Sequence, residues 1–309
     1  MTPAPPLLVI AGATATGKTG LAVRTALALQ ADGIPVEIIS ADSRQVFTGL
    51  DIGTAKVTLP ERQGVLHHGL DLVNPDQPFS VADFSEHVAS VLPRIAAAGG
   101  VAILVGGTGL YLRAIARGID TDALPSDAAI RAALEGELLD GGLAPLAKRL
   151  QSIAPSRAAA IDLRNPRRVV RALEIATIDG GLGALPARRG YPGAVAWIGL
   201  APDAQHGEWI RTRAQAQFDG GLLEEAGALR RQFAPNLPAF SAISYREAWA
   251  VLDGTLAVDA AVAAVTQRSV AFAKRQRTWF RSEPWIEWLA ATDVGIEART
   301  LSVARALLA

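Results

Sequence analysis

The sequence predicts an α/β fold: a parallel sheet flanked by helices, with an all-helical insertion. Three observations predict it. Apolar runs of strand length, Leu7–Ala11, Val36–Ser40 and Val101–Val105, each end at small or glycine residues. Stretches of helical spacing alternate with them, which is the pattern of a parallel sheet. Between about Pro125 and Pro192 the pattern changes to helices alone, punctuated at Gly141-Gly142, Asn165-Pro166, Gly180-Gly181 and Tyr191-Pro192.

Taken in order, Leu7–Ala11 is a strand ending at Gly12, and the text after Thr19, LAVRTALALQA, is rich in helix formers with apolar residues at helical spacing. A helix is predicted over Val81–Ala98, ahead of the third strand. Val195–Leu200 (VAWIGL) restores a strand, and helical patterns follow over Glu208–Phe233 and Val258–Trp279. The expected division is a core in two parts, residues 1–122 and 195–309, interrupted by a helical domain at 123–194.

Composition bounds the function without choosing it. At 309 residues and 50% hydrophobic, the chain can bury a sizeable core. Thirty basic residues balance thirty acidic ones, so nucleic-acid binding would depend on local basic patches rather than on net charge. The absence of cysteine excludes disulfides, thiolate zinc sites and a cysteine nucleophile. The opening MTPAPPLLVIAG has no basic segment before its short apolar run and reads as a strand rather than a signal peptide. No apolar run approaches the ~20 residues of a membrane helix, so a cytoplasmic protein with no membrane contact is expected, with a monomer as the default.

The first chemical motif is Gly12-Ala13-Thr14-Ala15-Thr16-Gly17-Lys18-Thr19, which fits G-x-x-x-x-G-K-[ST] between a strand and a helix. Its glycines let backbone N–H groups approach phosphate oxygens, the helix N-terminus adds positive potential, Lys18 adds a full charge, and Thr19 can ligate Mg²⁺. The core is therefore P-loop NTPase-like, and a di- or triphosphate belongs in it. An ordinary member would carry an acid at the end of another apolar strand to help hold the metal, and VAILVGGTGLY has none. The acid stands instead at Asp42, after Val36–Ser40, where it could accept a proton from an acceptor held against the phosphates. Gly12–Thr19, Asp42 and Thr108 all follow strand ends, the edge of a parallel sheet where ligands bind. A small-metabolite or nucleoside kinase, and a P-loop RNA-binding protein without chemistry, remain compatible with these motifs alone.

Further segments narrow the choice. SADSRQVFTGLDIGTAK (Ser40–Lys56), HHGLDLVNP (His67–Pro75), FSVADF (Phe79–Phe84) and LVGGTGLYLRA (Leu104–Ala114) follow the P-loop, and NPRRVVRALEI, GLLEEA, SYREAW and AKRQRTWFR come later. In this order and over nearly the whole chain, the sequence resembles the tRNA dimethylallyltransferases, also called tRNA isopentenyltransferases, of the bacterial type. The resemblance implies that the P-loop holds dimethylallyl diphosphate with Mg²⁺ as cofactor. The N6 amine of the adenosine adjoining the anticodon's 3′ end then displaces pyrophosphate, without ATP hydrolysis. It implies that Asp42 orients the amine and takes its proton, that Thr108 lies near the bridging oxygen, and that Lys18, Thr19 and Arg213 neutralise the departing diphosphate. Asp42, Ser43, Arg44 and Gln45 would then meet an adenosine splayed from the anticodon loop.

RNA contacts are expected on two helices. Arg167, Arg168 and Arg171 follow the Asn165-Pro166 start signal, with three- and four-residue spacings that put pairs on a shared face. Lys274, Arg275, Arg277 and Arg281 interleave with Trp279 and Phe280; the cations are assigned to RNA and Trp279 to packing. By resemblance Arg246 joins them, making the anticodon stem-loop of tRNA the macromolecular partner. Three departures from the family pattern stand out: Ala13 where proline is frequent, Ser244 where glycine is usual, and Trp209 near where many members carry arginine. His67 and His68 are adjacent, so on a strand they face opposite ways and make no metal pair.

Overall fold

A computed structural model describes residues 4–119, 125–180 and 190–308. Contacts divide the chain into two compact units, residues 1–118 with 190–309, and residues 119–189. The sequence reading set the corresponding junctions at 122/123 and 194/195.

The larger unit is built on a six-stranded, all-parallel sheet. Its strands are β1 (Leu7–Gly12), β2 (Val36–Ala41), β3 (His67–His68), β4 (Val101–Gly106), β5 (Val195–Ala201) and β6 (Glu287–Ala290), in the spatial order β3-β2-β4-β1-β5-β6. β1 and β4 are buried at every residue, which is why they read as continuous apolar runs rather than alternating ones. Helices α1 (Lys18–Ala31), α2 (Leu59–Arg62), α3 (Val81–Ala97) and α4 (Gly109–Ala116) belong to the first half. Ser80 caps α3, its hydroxyl accepting from Ala82 and Asp83 N–H groups while the Asp83 carboxylate accepts from Ser80 N.

The register explains how distant segments meet. Ala41 and Ala11 both pair with Gly106, so the ends of β2, β4 and β1 lie side by side at one edge of the sheet. The chain therefore delivers the P-loop, Asp42 and Thr108 to one edge, the place where parallel sheets bind ligands.

The smaller unit is helical among its described residues: α5 (Ala128–Gly141), α6 (Leu143–Ile153), α7 (Pro155–Ala159) and α8 (Pro166–Asp179). Leu134, Leu146, Leu150, Val169 and Leu173 form its own core. Asn165 caps α8 by accepting from Arg168 N, with Pro166 at the first helical position, as the start signal predicted.

The larger unit resumes after β5 with α9 (His206–Asp219), α10 (Leu222–Gln232), a short 3₁₀ turn (Pro238–Ser241), α11 (Tyr245–Leu252), α12 (Val258–Phe280) and α13 (Ile296–Ala306). One expectation is corrected here. Glu208–Phe233 is not a continuous helix, because Gly220 and Gly221 break it and Gly221 takes φ 100°, a conformation that glycine accepts and a helix cannot contain. β3 and β6 also escaped the sequence reading, being two and four residues long with only alternating or partial burial.

Candidate active site

The P-loop is the turn between β1 and α1. Ala15 (φ 59°) and Gly17 (φ 81°) take left-handed backbone to bring the chain round into the helix. Thr16 Oγ1 donates to Ala13 O at 2.9 Å, and Lys18 Nζ donates to the same carbonyl at 2.5 Å. Ala13, in the position where proline is frequent, is buried against Ile210 and Ala273, so a small apolar side chain is what that position requires.

Arg213, on α9, reaches the loop from the second half of the chain, and its Nη2 donates to Thr14 Oγ1 at 2.5 Å. Burial lowers the pKa of Arg213 while Asp42 opposes the shift. Burial, helped by Arg213, pushes the Lys18 ammonium down to about 7, with Asp42 again opposing. Two desolvated cations at one phosphate loop, with one carboxylate to balance them, make a centre that favours a bound polyanion. Trp209 lies one turn before Arg213 on α9, and the contact to the loop is made by Arg213.

Asp42 and Thr108 close the other side. Asp42 Oδ1 accepts from Arg44 N at 2.8 Å, which orients the carboxylate. Thr108, at the N-cap of α4, accepts on Oγ1 from Ser43 N at 3.0 Å, and its own N–H donates to Ala41 O at 3.2 Å. The structure thus brings Gly12–Thr19, Asp42, Ser43, Thr108 and Arg213 together.

Gln45 and Arg44 lie beside this group with their side chains engaged. Gln45 Oε1 accepts from Ser40 Oγ at 3.0 Å, and its Nε2 donates to the carbonyls of Thr54 and Ala55 at 3.2 Å. Arg44 Nη1 donates to Pro238 O at 3.0 Å. The segment they belong to is held from behind by residues to which the sequence reading gave no role. Glu225 accepts from the N–H groups of Asp51, Ile52 and Gly53 and from Tyr245 Oη, while Gln217 Nε2 donates to Ile52 O and Gly53 O. Lys56, buried, donates to Phe47 O and pairs with Asp51 and Asp71.

Two more residues of the site escaped the sequence reading. His206 Nε2 is 2.8 Å from Thr14 O. Gln276 accepts from Thr14 N at 2.8 Å and donates to Gly107 O at 3.0 Å. The usable signal for Gln276 was position: a polar side chain three residues before Trp279 and four before Phe280, on the inward face of an amphipathic helix, needs a partner.

The candidate RNA cations fall into two groups. Arg167, Arg168, Arg246, Lys274, Arg275 and Arg281 are exposed. Lys274 and Arg281 line, with Arg277 and His206, a cavity of about 280 Å³ between α9 and α12. Arg171 is half-buried; it pairs with Glu174 at 2.8 Å and donates to Pro125 O at 3.0 Å. Burial works against the Glu174 carboxylate, yet hydrogen bonds from Arg171, Asp127 N and Arg131 hold its pKa below the usual range. Trp279 packs as expected, with the Arg113 guanidinium 4.2 Å from its ring centroid. His67 bonds Val65 O and His68 pairs with Glu37, in separate networks.

The metal question is one of donors. Among the described residues no three His, Cys, Asp or Glu side chains group as a metal cage. Thr19 offers an exposed hydroxyl on the first turn of α1, beside the cradle. Mg²⁺ keeps several waters and takes phosphate oxygens in preference to all-protein ligation, so this donor set fits an ion carried in with a diphosphate.

Known proteins resemble this chain in sequence and fold. The family model described as IPP transferase matches residues 45–283. The chain belongs to that family. Within it, a tRNA dimethylallyltransferase of Roseiflexus is 38% identical over 306 residues, covering 97% of this chain and 98% of its own. One from Anaeromyxobacter is 42% identical over 290 residues, 92% of each chain. Among solved structures, the tRNA isopentenylpyrophosphate transferase of Bacillus halodurans is 34% identical with a TM-score of 0.70, covering 98% of this chain and 96% of its own. A eukaryotic dimethylallyltransferase shares the fold at a TM-score of 0.76, with 21% identity over 98% of this chain and 78% of its own. Among the described residues no helix is long and apolar enough to cross a membrane.

Proposed function

We propose that this IPP transferase family member is a tRNA dimethylallyltransferase, moving the dimethylallyl group from its diphosphate to N6 of the adenosine adjoining the anticodon's 3′ end. The observation that carries the reading is the meeting of Lys18, Arg213, Asp42 and Thr108 at the aligned ends of β1, β2 and β4. A kinase would need the P-loop for a nucleoside triphosphate; family membership favours a prenyl diphosphate there instead.

In the reaction the N6 lone pair forms a bond to the allylic carbon as the carbon–oxygen bond to the diphosphate breaks. Negative charge then builds on the leaving oxygens, and Lys18, Arg213 and the P-loop N–H groups stabilise it where it develops. Asp42, oriented by Arg44 N, takes the proton released from the amine. Thr108 Oγ1, fixed by Ser43 N, can donate toward the bridging oxygen. Thr19 and the diphosphate oxygens would hold Mg²⁺, which supplies further neutralisation of the pyrophosphate.

The exposed cations of α8 and α12, with Arg246, are assigned to phosphates of the anticodon stem-loop, and Ser43 to the adenosine, with Arg44 and Gln45 holding the loop around it through their protein contacts. Backbone cations position an RNA without reading it, and a splayed base is read by hydrogen bonds to its edge. We propose a cytoplasmic, monomeric enzyme.

The test is to incubate the protein with Mg²⁺, labelled dimethylallyl diphosphate and unmodified tRNA, without ATP. Label should enter tRNA with the wild type and not with Asp42→Ala. No incorporation by a folded, tRNA-binding protein would overturn the reading.

A further inference from the structure

We infer that Gln276 is a positioning residue whose side-chain amide sets the spacing between the P-loop and Thr108 across the site that, on the prenyl-transfer reading above, holds the diphosphate. Its side chain is buried on α12, 262 positions from Thr14. Oε1 accepts from Thr14 N at 2.8 Å and Nε2 donates to Gly107 O at 3.0 Å, so one planar group bridges the two loops.

Both ends of the bridge are themselves tied to chemical groups. Thr14 accepts from Arg213 on its hydroxyl, and its carbonyl meets His206, so Gln276 completes a three-sided grip on that residue. Gly107 precedes Thr108, whose hydroxyl accepts from Ser43 N and whose N–H donates to Ala41 O. A shift at either end therefore carries to Arg213 or to Thr108. A Cβ at position 107 would lie 2.2 Å from Gln276 Nε2, so a side chain there requires the amide to move.

The polarity of the bridge is specific. Thr14 offers a donor and Gly107 an acceptor, so the group between them must accept at one end and donate at the other. Methionine keeps the length of the side chain and supplies neither bond. Glutamate keeps the first bond and sets a carboxylate oxygen against the Gly107 carbonyl, which an amide does not do. Neighbouring Ala273, with Ile210 and Ala13, gives the site a packed apolar floor, so the amide is held by its surroundings and not by solvent.

Gln276→Met, Gln276→Glu and Gly107→Ala would be compared with wild type, the last attacking the same bridge from the opposite side. Displacements of about 1 Å at a reacting centre cost on the order of 100-fold, so kcat should fall about 10- to 100-fold in all three. KM for tRNA should stay within about twofold, since the outward cations of α12 are untouched. Pyrophosphate with Mg²⁺, titrated calorimetrically, should bind roughly fivefold more weakly, as a loosened P-loop limb must be ordered on binding. Unchanged kcat in Gln276→Met and Gly107→Ala, or a loss confined to the KM for tRNA, would overturn the inference. Should wild type bind pyrophosphate but transfer no prenyl group, the functional reading fails and the pyrophosphate titration alone decides the role of Gln276: equal affinities in wild type and variants would overturn it.

Discussion

The cations of this protein occupy two contrasting environments. Lys18 and Arg213 are half-buried at the end of the sheet, and desolvation lowers their pKa values. Arg167 and Arg168 on α8, and Lys274, Arg275 and Arg281 at the end of α12, are exposed. A desolvated cation costs folding energy and interacts strongly with any anion brought to it, because little water competes. A solvated cation costs nothing to keep and adds a modest, salt-screened attraction. The first arrangement suits charge that appears during a reaction; the second suits a long polyanion that must bind and leave. Arg171 and Arg44 belong to neither set: each is half-buried, Arg171 paired with Glu174 and Arg44 bonded to Pro238 O.

The contrast can be broken most severely at its balancing acid. Asp42→Ala should lower kcat for prenyl transfer by about 10²- to 10⁴-fold with tRNA binding retained, measured by label incorporation at saturating tRNA. Next, Arg213→Ala and Lys18→Ala should each lower kcat by roughly 10²- to 10³-fold, the scale of removing one donor from a developing oxyanion. Were either loss to sit only in the KM for tRNA, the half-buried pair would belong with the exposed cations and the distinction would collapse.

The pH dependence sharpens the same point. With its pKa near 7, Lys18 of the free protein is charged below that pH and loses its proton as pH rises above it. A bound diphosphate favours the charged form, so binding takes up a proton above pH 7 and affinity for pyrophosphate should fall with rising pH, by at most about tenfold per unit. Titrations in buffers of different ionisation enthalpy measure that proton uptake, and Lys18→Arg should remove the part of it that belongs to the lysine, leaving only that of pyrophosphate itself.

On the solvated side, Arg167→Ala with Arg168→Ala should raise the KM for tRNA several-fold and reduce the slope of log affinity against log salt by roughly 1 for each phosphate no longer neutralised. The smallest effect lies outside both groups. Ser244 holds φ 102° without glycine's freedom, and its hydroxyl makes one long hydrogen bond, 3.4 Å, to Gln217. Ser244→Gly should stabilise the protein by about 1 kcal/mol, raising Tm by roughly 2 °C. It should leave pH and salt dependence alone, which provides the baseline for reading the charged variants.

Much of this was legible in the order of residues. β1, β2, β4 and β5 announced themselves as apolar runs, because strands covered on both faces are apolar throughout. The P-loop was visible because its glycine, lysine and threonine are contiguous, and Asp42 and Thr108 because each follows a strand. The helix break at Gly220-Gly221 was readable in principle, from two adjacent glycines inside a periodic pattern. β3 and β6 were not, since strands of two and four residues carry too little periodicity to stand out.

What the sequence by itself determined is the set of local elements and the loops that end them, because strand and helix spacing and phosphate-loop chemistry are properties of neighbouring residues. The tertiary structure decided which of those loops stand side by side, through the pairing of Ala11 and Ala41 with Gly106. It also decided which polar side chains bind them together: Gln276 on Thr14 and Gly107, and Glu225 on the backbone of Asp51–Gly53. A buried polar group is stable only beside a complementary partner, and where that partner lies hundreds of residues away no local pattern records it.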